Sequence, residues 1–171
     1  MSDKAAEMKR KARELGFEYE KTYYGCGQCV VAAVDDAVGG GDPNVFRAAS
    51  GFAGGIGLAG DSACGAYAGA VLALGHRLGR ERDNFADPDK VRFKSFAMAK
   101  RLHDRFVAEL GSVNCHGIHA RLYGRPFYLW DNDDRVKFDE MGGHAQKCPE
   151  VVGLAAMWAV EILEEEGLLP E

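Results

Sequence analysis

Hydrophobic residues recur at intervals of three and four along most of this chain, which is the spacing of amphipathic α-helices. No stretch alternates between apolar and polar residues for long enough to predict a strand. The pattern therefore predicts an all-α fold, with residues 1–171 forming a single compact domain of about six helices and a glycine-rich loop. We expect helices over residues 4–19, 28–38, 43–50, 62–78, 88–110 and from 149 onward, a brief helical turn over 115–122 and an extended segment over 123–130.

Several of these helices begin at recognisable capping signals. Asp42-Pro43 and Asp87-Pro88 each place a capping side chain before a proline in the first turn, and Asp61-Ser62 and Asn114 are further caps. Cys148 precedes Pro149, so it is expected at the cap position of the last helix. The longest helix is expected to bury a stripe at three- and four-residue spacing: Phe96, Ala99, Leu102 or His103, Phe106 and Leu110.

Glycines are concentrated between residues 39 and 79. The run Gly55-Ile-Gly57-Leu-Ala-Gly60 matches the dinucleotide pattern G-x-G-x-x-G, but that pattern requires a preceding strand, and residues 44–50 have helical spacing. Nucleotide binding is therefore disfavoured. We expect the bare loop to let the backbone pass close to a bulky group, with four glycines as its contacts: Gly54, Gly55, Gly57 and Gly65.

A second glycine pattern lies within the predicted helix that follows the loop. Gly65, Gly69 and Ala73 recur every four residues on one helix face. Small residues at this spacing let two helix backbones approach closely. This face should therefore pack against another helix, in the same chain or in a symmetric partner, and a homodimer is the expected assembly.

Composition and charge exclude several classes of function. The 171 residues carry a net charge of −5 in short mixed runs, without the basic stripe expected of a nucleic-acid or membrane-surface protein. The first ten residues lack the apolar core of a signal peptide, and no uncharged run is long enough to span a bilayer. A cytoplasmic protein is expected, in which five cysteines indicate metal, cluster or redox chemistry.

Four of the five cysteines fall at predicted helix starts: Cys29, Cys64, Cys115 and Cys148. The amino terminus of a helix carries unpaired N–H groups and a partial positive charge, which stabilise a thiolate and lower the pKa of a cysteine. A thiolate is both a metal ligand and a nucleophile. The pattern therefore suggests four helix ends converging on one anionic centre, although the long sequence separations do not by themselves show that the cysteines meet.

These cysteines, with their surroundings, resemble the C_GCAxxG_C_C family of redox-active proteins. The resemblance rests on Gln28-Cys29, on the loop from Gly51 with Ala63-Cys64-Gly-Ala-Tyr-Ala-Gly69, on Cys115 after Leu110-Gly111, and on Cys148-Pro-Glu-Val-Val. It covers about residues 29–163. It implies Cys29, Cys64, Cys115 and Cys148 as redox thiols or iron–sulfur ligands, and an electron-transfer partner that the residues do not identify.

Other candidate ligands lie close to these cysteines. Cys26 forms a C-x-x-C pair with Cys29 that could close a disulfide across the first turn of a helix, although Cys26 is expected to be an extra thiol outside the set of four. His116, His119 and His144 are additional candidate metal ligands, although His116 and His119 are more simply explained as solvated residues of a short helix. Residues 131–134 resemble the start of a calcium loop without its distal ligands, so a solvated loop and helix cap are expected there.

Three interpretations remain open at this point. The preferred one is a redox protein whose centre is either an iron–sulfur cluster or a set of thiol–disulfide pairs drawn from the four cysteines. The second is a structural zinc protein that transfers no electrons. The third is a helical partner-binding protein in which the cysteines are ordinary buried residues.

Overall fold

Eight α-helices form the fold of residues 3–170, the part of the chain that this computed structural model describes. A 3₁₀ turn (Ala49–Phe52) follows the third helix, and a π-helical turn (Gly143–Lys147) runs directly into the eighth. No strand forms within residues 3–170, which confirms the all-α prediction. The helices are α1 (Asp3–Tyr23), α2 (Cys26–Val38), α3 (Pro43–Ala48), α4 (Gly65–Arg77), α5 (Val91–Leu110), α6 (Cys115–Tyr123), α7 (Asn132–Glu140) and α8 (Cys148–Glu165).

The last helix, α8, is the centre of the fold. Its sequence is apolar on nearly every face, as expected of a helix surrounded by others, and eleven of its residues are buried. Helix α1 lies along it, and α2, α4 and α5 complete the shell. None of the helices formed by the described residues is long and apolar enough to cross a membrane.

Helices α2 and α4 cross with their backbones in contact. A β-carbon added at Gly69 of α4 would overlap the carbonyl oxygen of Gly27 and come within 2.9 Å of its Cα atom. The small-residue face predicted from Gly65, Gly69 and Ala73 therefore packs against α2 of the same chain. This contact sets the position of the amino terminus of α2.

The prediction of about six helices is wrong in number, and several boundaries differ. Residues 115–122 belong to a full helix, α6, and α7 was not predicted because its sequence carries a single large apolar anchor, Phe138. Helix α4 begins at Gly65 rather than at Asp61-Ser62, because the backbone before it pairs with residues 113–115 instead. Residues 124–130 form turns and loops rather than an extended strand.

The buried stripe of α5 agrees with the prediction at Leu102, Phe106 and Leu110 and differs from it before Leu102. The buried residues follow a four-residue spacing: Met98, Leu102, Phe106 and Leu110. Phe96 is 59% exposed and Ala99 is only partly buried. Two apolar stripes were compatible with the sequence, and packing on α4 and α8 selected one of them.

Candidate functional site

A cavity of about 370 Å³ lies where α1, α2, α4, α6, α7 and α8 meet the glycine-rich segment. Its walls include four cysteine side chains, from Cys26, Cys64, Cys115 and Cys148. We call it the cysteine cavity. All five cysteines of the chain are free thiols. The tertiary structure thus brings together side chains that are separated by up to 122 positions along the sequence.

Each of the four cavity cysteines stands at the amino terminus of a helix. Cys26 and Cys115 are the first residues of α2 and α6, and Cys64 is the N-cap of α4. Cys148 is the first residue of α8, but its backbone is already helical because the π-turn precedes it, so it is not the predicted cap. The amino termini of α2, α4 and α6 therefore lie at one cavity, where their partial positive charges favour an anion, whereas the Cys148 amide already donates to the Gly143 carbonyl.

A short antiparallel bridge holds two of these helix starts side by side. Ala63 pairs with Asn114, and on either side the Cys64 amide donates to the Val113 carbonyl at 2.8 Å and the Cys115 amide donates to the Ser62 carbonyl at 3.0 Å. The two cysteines therefore flank the bridge. Their relative position is set by backbone hydrogen bonds and does not depend on a bound group.

Cys29 lies outside the cavity, although it is in the first turn of α2 as predicted. Its thiol donates to the backbone carbonyl of Tyr24 at 3.1 Å, its side chain also contacts the Glu20 carboxyl group, and it borders a separate surface groove. Cys26 occupies the cavity instead. Tyr24 and Gly25 both have positive φ, of 60° and 86°, and this left-handed turn starts α2 at Cys26.

The glycines fit around the cysteines. A β-carbon at Gly65 would overlap the Cys26 sulfur, and one at Gly55 would lie 2.8 Å from the Cys115 β-carbon. The amide of Gly54 faces Cys26, whereas Gly57 has open space around it. The sequence predicted that these glycines would contact a bulky group. Instead, Gly65 and Gly55 make room for the side chains of Cys26 and Cys115.

Five consecutive residues of this segment, 54–58, have φ between 60° and 75°. A left-handed turn of this length is costly for residues with a β-carbon, and a β-branched residue such as Ile56 is the least suited to it. Backbone strain of this kind tends to occur at functional sites. Here the strained segment forms part of the wall of the cysteine cavity, through Gly54 and Leu58.

Burial keeps the cavity thiols protonated. Desolvation raises the pKa of all four above the ordinary thiol value, and negative charge on Glu20 or on a neighbouring thiol adds to the increase. The amides of Ala66 and Tyr67, in the first turn of α4, oppose this effect at Cys64 but do not overcome it. The prediction that helix starts lower the pKa of these thiols is therefore wrong, because desolvation is the larger effect.

Two buried polar side chains in the cavity have unsatisfied atoms. Glu20 and His119 are each 3% exposed, and neither Oε2 of Glu20 nor Nδ1 of His119 has a hydrogen-bond partner among the described residues. Burial raises the pKa of Glu20 to about 7 and lowers that of His119 to about 4. Buried polar atoms without partners are rare in native proteins and indicate a missing ligand, ion or water.

The position of Glu20 along α1 also indicates a site. The buried face of α1 consists of Ala5, Met8, Ala12, Gly16 and Glu20. Glu20 thus continues an apolar stripe at helical spacing, where a carboxylate is not expected for packing. A charged residue in register with a buried stripe is a useful indicator of a site.

The three candidate histidines have different surroundings. His119 is buried, not solvated, and its Nε2 lies 3.7 Å from the Cys115 sulfur. His116 packs against Gly60 of the glycine-rich segment and does not line the cavity. His144 lines the cavity, and its Nδ1 pairs with the Asp139 carboxylate at 2.8 Å, which fixes the orientation of the ring.

Replacing Glu20 with glutamine should remove the loss of folding stability that ionisation of Glu20 causes as pH rises. The folded state holds the Glu20 proton up to about pH 7, whereas the unfolded chain releases it near 4.5, so the wild-type protein loses stability as pH rises through this window. As pH rises from 5 to 8, we expect the free energy of unfolding of Glu20→Gln to increase by about 2–3 kcal/mol relative to that of the wild-type protein. Urea unfolding of the metal-free proteins at both pH values measures this difference, and an equal pH dependence in the two proteins would contradict it.

Sequence comparison agrees with the region that forms the site. The family model described as "Putative redox-active protein (C_GCAxxG_C_C)" matches residues 24–162. The matched region begins before Cys26, so it contains Cys26 as well as Cys29. No curated protein and no solved structure matches the chain. Because the match covers most of the sequence and all four cavity cysteines, the chain belongs to the C_GCAxxG_C_C family, whose members are described as redox-active.

Proposed function

We propose that this protein is a redox protein that binds an iron–sulfur cluster through Cys26, Cys64, Cys115 and Cys148. The observation that carries this proposal is that these four side chains, from four helix starts, line one cavity. The set differs from the sequence-based one in a single residue, since Cys26 replaces Cys29. Four cysteine ligands are the usual complement of such a cluster.

The residues of the cavity fit a negatively charged group of several atoms. Its walls combine four potential thiolates with helix amino termini, whose N–H groups favour anions. Two of its buried polar atoms, on Glu20 and His119, lack partners. Metal binding deprotonates a coordinating thiol outright, so the raised pKa values of the free thiols do not oppose ligation.

A bound cluster would supply one-electron storage, and the protein would tune its potential. The Tyr123 hydroxyl lies 3.8 Å from the Cys148 sulfur, and burial raises the pKa of Tyr123, so the hydroxyl remains a donor. His119 is similarly placed at Cys115, with Nε2 at 3.7 Å. Hydrogen bonds to ligand sulfurs are one of the means by which proteins set cluster potentials.

The two alternatives fit the cavity less well. A single zinc ion with Zn–S bonds of about 2.3 Å holds its sulfurs about 3.8 Å apart, whereas among residues 3–170 no three His, Cys, Asp or Glu side chains converge on one ion position. Thiol–disulfide exchange requires a thiolate, and burial raises the pKa of every cavity cysteine. In a cluster the cysteines bind different iron atoms, so four thiols that line one cavity need not converge on a single ion position.

Metal analysis of protein purified without oxygen tests the proposal. We expect iron and acid-labile sulfide in similar amounts, a brown colour, and a visible absorption band that bleaches on reduction with dithionite. Stoichiometric zinc without sulfide would support the structural alternative. Colourless, metal-free protein that also fails to take up iron and sulfide during anaerobic reconstitution would refute the proposal.

A further inference from the structure

A second concave surface lies beside the cysteine cavity, and Tyr24 lines both. It has a volume of about 380 Å³ and is lined by Tyr19, Tyr23, Tyr24, Phe46 and Asp36, with the Cys29 thiol among its other lining groups. We call it the tyrosine groove. It takes no part in the proposed redox centre, and neither the family description nor the cysteine pattern assigns it a role.

The aromatic side chains of the groove are unusually exposed. Tyr23 is 72% exposed, Tyr24 54% and Phe46 41%. Three large aromatic residues at one surface depression contribute nothing to the core, and aromatic side chains exposed together commonly mark binding sites. A ligand of this groove should therefore carry a chemical group that binds favourably to the faces of aromatic rings.

The walls of the groove are held in place by hydrogen bonds. The Tyr19 hydroxyl donates to the Asp36 carboxylate at 2.7 Å, and the Gln28 side-chain amide donates to the Phe46 carbonyl at 3.2 Å, which ties α2 to α3. The rings of Tyr19 and Tyr23 lie 6.1 Å apart between centroids and are inclined at 52°. These contacts fix the Tyr19 side chain and position the backbone of Phe46 relative to α2.

Charge selects among the ligands that could enter. Asp36 is the acidic lining residue, and the lining residues include no lysine or arginine within the described chain. The nearby Lys11 ammonium donates to the Asp36 backbone carbonyl rather than to its carboxylate. Aromatic faces are electronegative and attract cations, most effectively weakly hydrated ones. An anion would meet the Asp36 carboxylate, and an uncharged apolar ligand would gain nothing from it.

We propose that the tyrosine groove binds a trimethylammonium group, the cationic head shared by small quaternary ammonium compounds and by trimethylated lysine side chains. The methyl groups contact the rings of Tyr19, Tyr23, Tyr24 and Phe46, and the Asp36 carboxylate balances the charge. Tyr24 also lines the cysteine cavity, so the two sites share a wall. The proposal does not depend on the metal content of the protein.

Proton NMR titrations with choline and with 3,3-dimethylbutan-1-ol, its uncharged isostere, test this inference. We expect the choline methyl signal to move upfield, because the methyl groups lie over ring faces, and choline to bind about tenfold more tightly than the alcohol. A short peptide that contains trimethyllysine forms the second arm. Binding of choline, of the peptide or of both supports the proposal, and their relative affinities identify the source of the head group.

Two variants localise the binding. Tyr23→Leu keeps an apolar side chain at an exposed position and removes one ring, and Asp36→Asn removes the charge; each should weaken binding several-fold, with an unchanged circular dichroism spectrum. Tyr128→Leu, which alters a 52% exposed tyrosine outside the groove, is the matched control and should bind as wild type does. Equal affinity for choline and the alcohol, no binding of either cation at tens of millimolar, or wild-type affinity in both groove variants would overturn the proposal.

Discussion

Replacing Cys26 with serine should abolish cluster binding. The Cys26 sulfur faces the cysteine cavity at the first residue of α2, and the missing β-carbon of Gly65 leaves the room that it occupies. Serine is a poor ligand for iron in such a site because its hydroxyl is far less acidic than a thiol. We expect iron and sulfide in the purified variant to fall to background, with the helical circular dichroism spectrum retained.

Cys29→Ser is the matched control, since it changes the same atom one helical turn away. The Cys29 side chain does not line the cavity and donates to the Tyr24 carbonyl, which a serine hydroxyl can also do. This variant should keep wild-type iron and sulfide. If Cys29→Ser lost the metal and Cys26→Ser kept it, the sequence-based ligand set would be correct and the structure-based one wrong.

Replacing Gly69 with alanine should strongly destabilise the fold. The added methyl group would overlap the Gly27 carbonyl oxygen, and backbone on both helices cannot move aside as a flexible side chain could. Overpacking of this kind costs about 2–3 kcal/mol. For a chain of this size, thermal unfolding should shift down by roughly 4–12 °C.

Gly75→Ala, on the same helix, is the control that separates the effect of the α2–α4 contact from the effect of the higher helix propensity of alanine. A β-carbon at Gly75 meets nothing within 4 Å, so alanine there should stabilise α4 by about 0.5–1 kcal/mol. Differential scanning calorimetry of both variants at one protein concentration gives the comparison. Similar melting temperatures for Gly69→Ala and Gly75→Ala would show that α2 and α4 do not pack backbone to backbone.

Sequence patterns alone could not determine whether Cys26 or Cys29 faces the cavity. The sequence predicted that this helix begins at residue 28, which placed Cys29 in its first turn and Cys26 before it, whereas α2 begins at Cys26 and both residues lie in its first turn. Residues three positions apart differ by about 60° around the helix axis. Which of them faces the cavity depends on the rotation of α2, and the Gly27–Gly69 contact and the left-handed turn at Tyr24-Gly25 fix that rotation.

The protonation of the cysteines is a similar case. The sequence correctly placed Cys64, Cys115 and Cys148 close to helix starts, where amides favour a thiolate. It contained no information on how deeply these starts are buried. Because desolvation depends on every element that packs around the cavity, including the unpredicted α7 with Phe138, the direction of the pKa shift could be read only from the folded chain.

By itself, the sequence determined the helical class of the fold, most of the helix positions, the close packing face of α4 and the positions of Cys64, Cys115 and Cys148 close to helix starts. These features follow from local spacing and capping, which neighbouring residues decide. Tertiary structure decided that the cysteines meet, that Cys26 is the fourth and that Glu20 and His119 join them. Each of these outcomes depends on contacts between segments far apart in sequence, and only the packed chain specifies those contacts.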